Sequence, residues 1–387
     1  MFTLIMAAAL AGFDSQFTTW PGGRLAALSL VFDDGRNDHR DIADPELTAR
    51  GLVGTFALIP GASWATKGPQ FQIVASHGHE LANHTMLHQT CKIQTAEEDA
   101  AIPPPNTNFH SLEELAADCV TALGLIDAIQ ARQTVAFVYP GGSNETQTRA
   151  VIAQHHLCAR LSTSGIHINP PSPTDLMQLQ PLYVGGAQPT VSDWCDFADV
   201  DDFFDTVLTT LLTDGGWVIE EYHDIECPGY AALNMDAWLG HLDELAAMSP
   251  VVWVGGMGDV ARYTLERDAA MITVLDEGAS FVTLSVDDGL PDGLYDLPLT
   301  VETIVPSAWG SVSVAGGGGA LPHIRIGDVV RFDTPPDGQP ILIGVNEWCG
   351  ECMCGPEEPT LCAEQDEDSD GDLDLYDFHL LQLRTVP

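Results

Sequence analysis

At 387 residues the chain is long enough for two or three domains with cores of their own, and 14 Lys and Arg against 56 Asp and Glu leave a formal net charge of −42. So acidic a surface is a poor partner for nucleic acid or an anionic membrane. After the first residues, no apolar run is long enough to span a bilayer.

Taken in order, residues 1–11 (Met1 to Ala11) form a short apolar segment ending Ala9-Leu10-Ala11. It reads as a signal peptide with an A-x-A-like cleavage site, although it lacks a basic start. Export to the extracellular space or cell envelope follows from that reading. Ala27 to Phe32 is an apolar run that reads as a buried strand, closed by Asp33, Asp34 and the turn residue Gly35. Ile42 to Gly51 reads as a helix, Gly54 to Ile59 as a second strand, and Phe71 to His77 as a helix leading into His84-Thr85-Met86-Leu87-His88. Residues 100–109 are a Pro- and Asn-rich loop. Ser111-Leu112-Glu113-Glu114 then caps a helix that continues to about Ile129. Val135 to Val138 is a strand, and helix and strand keep alternating through Trp253-Val254. Such alternation indicates an α/β fold with a largely parallel sheet.

Two features carry chemistry. Burying two adjacent carboxylates is costly unless a cation is present, and with one present the pair can divide the work between metal binding and proton transfer. The competing reading of Asp33-Asp34 is a solvated turn. The second feature is the spacing of His84 and His88, which predicts two imidazoles on one face of a helix or helical turn. Two imidazoles and one carboxylate leave open positions on Zn²⁺ or a similar ion, as catalytic rather than structural sites do.

These motifs resemble those of the polysaccharide deacetylases, the NodB-homology carbohydrate esterases. Val31-Phe32-Asp33-Asp34-Gly35 is similar to their first motif, and His84-Thr85 with His88 to their second, preceded by Gly78-His79-Glu80. Phe137-Val138-Tyr139-Pro140-Gly141-Gly142 resembles the third motif of one branch, and Trp217 to His223 the late strand that ends in histidine. Order and spacing agree over about residues 24–265. The resemblance implies a distorted (β/α)7 barrel with its functional groups at the carboxyl ends of the strands. It implies a divalent transition metal (Zn, with Co, Ni, Mn or Fe as alternatives) on Asp34, His84 and His88. Asp33 would be the general base, His223 the general acid, and the Tyr139 backbone N–H the oxyanion donor. The implied reaction removes N-acetyl groups from a polysaccharide of chitin or peptidoglycan type. The alternatives are O-acetyl (acetylxylan-type) ester hydrolysis, a catalytically inactive carbohydrate-binding module, and a non-sugar amidase. One departure is clear: the arginine that many members carry in the third motif is missing, and Arg160 is the candidate to supply its charge. Asp193-Trp194 is only superficially like the fourth motif.

From about Met271 the helical pattern stops. Five strand-like runs between Ile272 and Phe332, separated by Gly-, Pro- and Asp-rich turns, read as a small all-β sandwich. Trp309 and Tyr295 are few aromatics for a sugar platform, which favours a packing role. The boundaries read as barrel 12–268, β-sandwich 269–345, Cys-rich linker 346–362 and tail 363–387. In the tail, Asp366, Asp368, Asp370, Asp372, Asp374 and Asp377 around Gly371 have the spacing of a calcium loop. The loop resembles a single dockerin-type repeat, implying bound Ca²⁺ and a cell-surface or cohesin-like partner. Of nine cysteines, Cys349, Cys352, Cys354 and Cys362 cluster in the linker, and export favours disulfides there over zinc. The other five, Cys91, Cys119, Cys158, Cys195 and Cys227, are an odd number, so at least one is a free buried thiol or pairs outside its group.

Overall fold

The structure is a computed structural model and describes residues 13–99 and 108–345. The signal segment, the Cys-rich linker with its four cysteines and the calcium loop lie outside the described residues. The chain divides into two compact units: Arg24–Leu265, and the residues on either side of it.

The first unit is built on eight strands in one sheet: β1 (Ala26–Phe32), β2 (Gly54–Leu58), β3 (Glu80–Asn83), β4 (Ala136–Val138), β5 (Cys158–Arg160), β6 (Leu182–Tyr183), β7 (Trp217–Tyr222) and β8 (Val252–Val254). Their order is β5-β4-β3-β2-β1-β7-β6, all parallel. β8 pairs with residues 26–28 of β1, on the edge that β2 takes further along at residues 30–32. The two ends of the sheet meet through the stretch leading into β6. Leu179 bridges Arg160 in parallel and exchanges hydrogen bonds with the Ala159 carbonyl (3.0 Å) and the Leu161 N–H (2.9 Å). Seven strands thus curl into a distorted (β/α)7 barrel.

β1 is buried along its whole length. Its alternate residues Leu28, Leu30 and Phe32 join Phe56, Leu58 and Tyr222 in the layer under the helices. The helices are α1 (Asp44–Ala49), α2 (Trp64–Ser76), α3 (Leu112–Asp127), α4 (Thr146–Ile152), α5 (Phe197–Asp214), α6 (Met235–Ala247) and α7 (Met257–Ala269); α1, α2, α3, α5 and α6 contribute side chains to that layer. α2 starts well before the predicted Phe71 and carries Pro69 inside it. The α3 cap is as predicted: Ser111 accepts from the Glu114 N–H at 3.0 Å.

The second unit holds two antiparallel sheets. One runs Met271–Glu277, Phe281–Asp287, Asp337–Val345, Val312–Gly316, Gly319–Ala320. The other runs Ser15–Phe17, Leu299–Ile304, Val329–Thr334, His323–Ile326. Ser15–Phe17 precedes the barrel in sequence but pairs with residues 301–303, so the barrel runs from Arg24 rather than from residue 12. Its three residues complete a sheet whose other strands lie almost 300 positions on, which no local pattern could announce. Trp309 is buried and its indole N–H donates to the Ala279 carbonyl at 2.9 Å, so it packs inside this unit.

Candidate metal and catalytic site

Every candidate residue lies at the carboxyl end of a barrel strand. Asp33 and Asp34 follow β1, His84 and His88 follow β3, Tyr139 follows β4 and His223 follows β7. The Asp34 turn is strained: Asp34 itself has φ 74° and Gly35 φ 58°, a region costly for a residue with a Cβ. That turn swings the Asp34 carboxylate away from the path of the strand, while Asp33 stays buried in the barrel mouth.

His84 and His88 meet, but not through a helix. The chain leaves β3 as a loop in which Thr85 (φ 60°) and His88 (φ 59°) are left-handed. Two reversals in four residues bring the rings within 4.9 Å, a closeness that sequence spacing alone suggests for a helical turn. The loop is held from behind. The Asn83 amide donates to His156 Nε2 (3.2 Å), its oxygen accepts from the Thr85 N–H (2.9 Å), and the Thr85 hydroxyl accepts from the Gln89 N–H (2.9 Å). The Asp118 carboxylate of α3 accepts from the Met86 N–H at 3.1 and 3.2 Å.

The geometry fits a metal ion. Asp34 Oδ1 is buried without a hydrogen-bond partner, and it stands 3.5 Å from both His84 Nε2 and His88 Nε2. His84 Nδ1 meets the Val138 carbonyl at 2.8 Å, which orients the ring so that Nε2 faces Asp34. The Asp34 carboxyl titrates well below the carboxylate range. Burial raises its pKa, but the adjoining His84 imidazole and the charges of His223 and His88 outweigh that. Its other oxygen accepts from Arg36 Nη1 at 3.2 Å.

Beside this triad is a buried ionic network that sequence reading only glimpsed. Arg160, fully buried at the end of β5, donates through Nη2 to Asp33 Oδ1 and lies 3.2 Å from Glu221 Oε2 through Nη1. Ser162 donates to Glu221 Oε1 at 2.8 Å. Asp33, Glu221 and His223 bring ligand atoms within 4.8 Å of one another. Burial pushes the Glu221 carboxyl up to about 7, Asp33 adding to the rise and Arg160 opposing it. Burial lowers the His223 pKa, against the pull of Asp33 and Asp34. Burial thus favours the uncharged imidazole. The signal for Glu221 was the pair of acids inside the otherwise apolar β7. Strand alternation sends Glu220 outward to Tyr222 (2.6 Å) and His241 (3.1 Å), and Glu221 inward.

Tyr139 is placed differently from its expected use. Its N–H donates to the Arg160 carbonyl at 3.2 Å, continuing the β4–β5 ladder by one residue, and its hydroxyl donates to the Met177 carbonyl at 3.1 Å. The following turn exposes Gly141. Of the five odd cysteines, Cys195 and Cys227 form a disulfide, and Cys91, Cys119 and Cys158 are free and buried.

Residues 24–159 match the family model described as polysaccharide deacetylase. The matched segment, less than half of the chain, resembles that family. It contains Asp33, Asp34, His84, His88 and Tyr139, and it ends one residue before Arg160. A gellan lyase from a Bacillus species is 24% identical over 334 residues, 81% of this chain but only 12% of that protein. Among solved structures, a probable polysaccharide deacetylase from Pseudomonas aeruginosa has 14% identity and a TM-score of 0.46, covering 65% of this chain and 94% of that one. The Xyl-CE4 domain of a multidomain xylanase from the hindgut metagenome of Trinervitermes trinervoides has 14% identity and a TM-score of 0.39, covering 61% and 89%. Among the described residues no helix is long and apolar enough to cross a membrane.

Proposed function

We propose that this chain is an exported, metal-dependent deacetylase that hydrolyses N-acetyl groups of a polysaccharide. One observation carries the reading above all: an unpartnered, buried Asp34 oxygen faces two imidazole nitrogens at 3.5 Å, next to a buried carboxylate held by an arginine. Asp34, His84 and His88 would hold a divalent ion, Zn²⁺ or a similar transition metal, on one face and leave the other open. Bound there, the ion supplies Lewis acidity to the acetyl carbonyl and makes water a nucleophile near neutral pH.

The chain's own residues do the rest. Asp33 takes the proton of the attacking water, and Arg160 fixes the carboxylate so that one oxygen remains for that proton. His223 takes a proton from solvent and passes it to the departing sugar nitrogen, while the proton taken by Asp33 is later released to solvent. The Tyr139 amide already donates to the Arg160 carbonyl, so an oxyanion held by it would have to displace that bond. Thr85 holds the histidine loop and has no ligand role.

The test is acetate release from chitooligosaccharides and from acetylated xylan, with EDTA treatment and Zn²⁺ or Co²⁺ added back. Metal-restored release from the chitooligosaccharides that Asp33→Asn abolishes is the expected result. Release from acetylated xylan alone would assign ester rather than amide hydrolysis. No release from either substrate by protein carrying one metal per chain would overturn the reading.

A further inference from the structure

The turn after β1 and the loop after β7 are stitched together by three links, none of them made by a proposed metal ligand. Arg36 forks onto the Asp224 carboxylate, Nε to Oδ1 and Nη2 to Oδ2, the second at 2.9 Å. The Ile225 N–H donates to Asp38 Oδ2 at 2.6 Å. The third link runs through His39, which is fully buried. The Arg36 N–H can only donate, so His39 Nδ1 accepts it at 3.3 Å and Nε2 carries the proton given to the His223 carbonyl at 2.7 Å. The loop itself is closed on Asp224. Its Oδ2 also accepts from the Tyr230 N–H at 2.6 Å, its own N–H donates to the Tyr230 carbonyl at 3.2 Å, and a Cβ on Gly229 would collide with its carboxylate. The Cys195–Cys227 disulfide joins the same loop to the segment before α5.

This frame ends on Asp34. Arg36 places its remaining nitrogen, Nη1, 3.2 Å from Asp34 Oδ2, which leaves Oδ1 as the oxygen 3.5 Å from each imidazole nitrogen. Asp34 needs such a hold, because it sits in a left-handed turn at φ 74°, where a residue with a Cβ is strained. A charged donor on one carboxylate oxygen opposes rotation about the Cβ–Cγ bond and keeps the two oxygens from exchanging places. A guanidinium alone so near a divalent cation would repel it. The Asp224 carboxylate on the fork offsets that charge.

We propose that Arg36 and Asp224 are positioning residues for the metal centre: Arg36 pins Asp34 through Oδ2 so that Oδ1 is the oxygen offered to the ion, and Asp224 both aims Arg36 and cancels its charge. This rests on the metal reading above, so metal binding is measured apart from turnover. The EDTA-treated full chain is titrated with Zn²⁺ and with Co²⁺ against a chromogenic chelator, and the visible absorption of the bound Co²⁺ is recorded. The proteins compared are wild type, Arg36→Met, Asp224→Asn and the double variant. Asp224→Asn is nearly isosteric and decides the matter should Arg36→Met fail to fold.

The expected result is about tenfold weaker binding of both ions by each single variant, with an altered Co²⁺ spectrum. The double variant also loses about tenfold rather than about a hundredfold, because the two residues act along one path. Wild-type affinity and an unaltered spectrum in the folded variants overturn the assignment. So does tighter binding by Arg36→Met, which would reduce the role of Arg36 to repulsion of the ion. A loss of about a hundredfold in the double variant overturns it as well, since the two residues would then act independently. Wild type that binds neither ion overturns the metal reading and this assignment with it. Wild type that binds one ion per chain, beside variants that bind it equally well, overturns this assignment alone.

Discussion

Arg160 serves two buried carboxylates at once, Asp33 and Glu221, with no exposure of its own. Removing the one cation from such a group leaves two unpaired buried acids, a loss that for a single buried pair is about 3–5 kcal/mol. Arg160→Met should therefore lower the thermal midpoint steeply and reduce kcat at least a hundredfold; Arg160→Lys, which cannot form the planar fork, should recover little. Glu221 sets a pH dependence whose sign can be worked out. Its folded pKa of about 7 lies above the ordinary 4.5. Between those values the native state keeps a proton that the unfolded chain has released, so the stabilisation is full below about 4.5 and is lost as pH rises through 7. Unfolding midpoints from pH 4 to 8 should show this decline, and Glu221→Gln should flatten it. A steeper decline in Glu221→Gln would mean that another group is responsible. In the sequence Arg160 is singled out only by the missing third-motif arginine, and Glu221 only as one of two acids in an apolar strand. Arg160 ends a three-residue strand, Cys158–Arg160, too short to show which way its side chain points. Asp33 and Asp34 were legible because they end a seven-residue apolar run and a left-handed turn follows at Gly35.

At the scale of the elements, the site depends on segments that contribute no ligand. The histidine loop is set by Asn83 at the end of β3, whose amide links His156, behind α4, to the Thr85 backbone. Partners of this kind are worth about 10- to 100-fold in metal affinity. Asn83→Ala should weaken Zn²⁺ or Co²⁺ binding by that factor, read by competition with a chromogenic chelator, while Asp34 and both imidazoles remain. The pairing of His84 with His88 was legible as a spacing and read as a helix or helical turn, because i, i+4 predicts proximity and a loop with two left-handed residues produces the same proximity. In the second unit the strand Ser15–Phe17 was not legible at all. It is short, it pairs with Leu299–Ile304, and its links include Ser15 Oγ to Thr303 Oγ1 at 3.0 Å and the Ile304 N–H to the Asp14 carbonyl at 2.8 Å. A chain lacking residues 1–19 should lose on the order of 2–4 kcal/mol from this unit, at about 1 kcal/mol per hydrogen bond. It should also aggregate more readily, since Leu299–Ile304 becomes an open edge. Thermal unfolding and light scattering read both effects. An unchanged transition would mean that the strand only decorates the sheet.

For the whole molecule the dominant electrostatic fact is the charge of −42 carried with only 14 basic residues. Some of those few are spent inside, Arg160 fully buried and Arg132 tied to Asp259, so the surface keeps its acids largely uncompensated. Helix α5 shows the local form of the problem. Asp199, Asp201, Asp202 and Asp205 fall within two turns of Phe197–Asp214, and like charges three and four apart cost a helix about 0.2–0.5 kcal/mol per pair. Such repulsion is between exposed charges and is screened by salt, the Debye length shrinking from about 30 Å at 0.01 M to about 10 Å at 0.1 M. The Arg160 network is buried and screened far less. Adding NaCl from 0.01 to 0.3 M should therefore raise the thermal midpoint. At about 2–4 °C per kcal/mol for a domain of this size, a rise of several degrees is expected. A surface stabilised by its ion pairs, such as Arg40 with Asp41, would respond in the opposite sense. Pairs of that exposure contribute at most about 1 kcal/mol each, too little to offset the repulsion of so large an acidic excess. A midpoint that falls with salt would thus show that attraction outweighs repulsion at this surface, and that the acidic residues are arranged around bound cations rather than spread against one another.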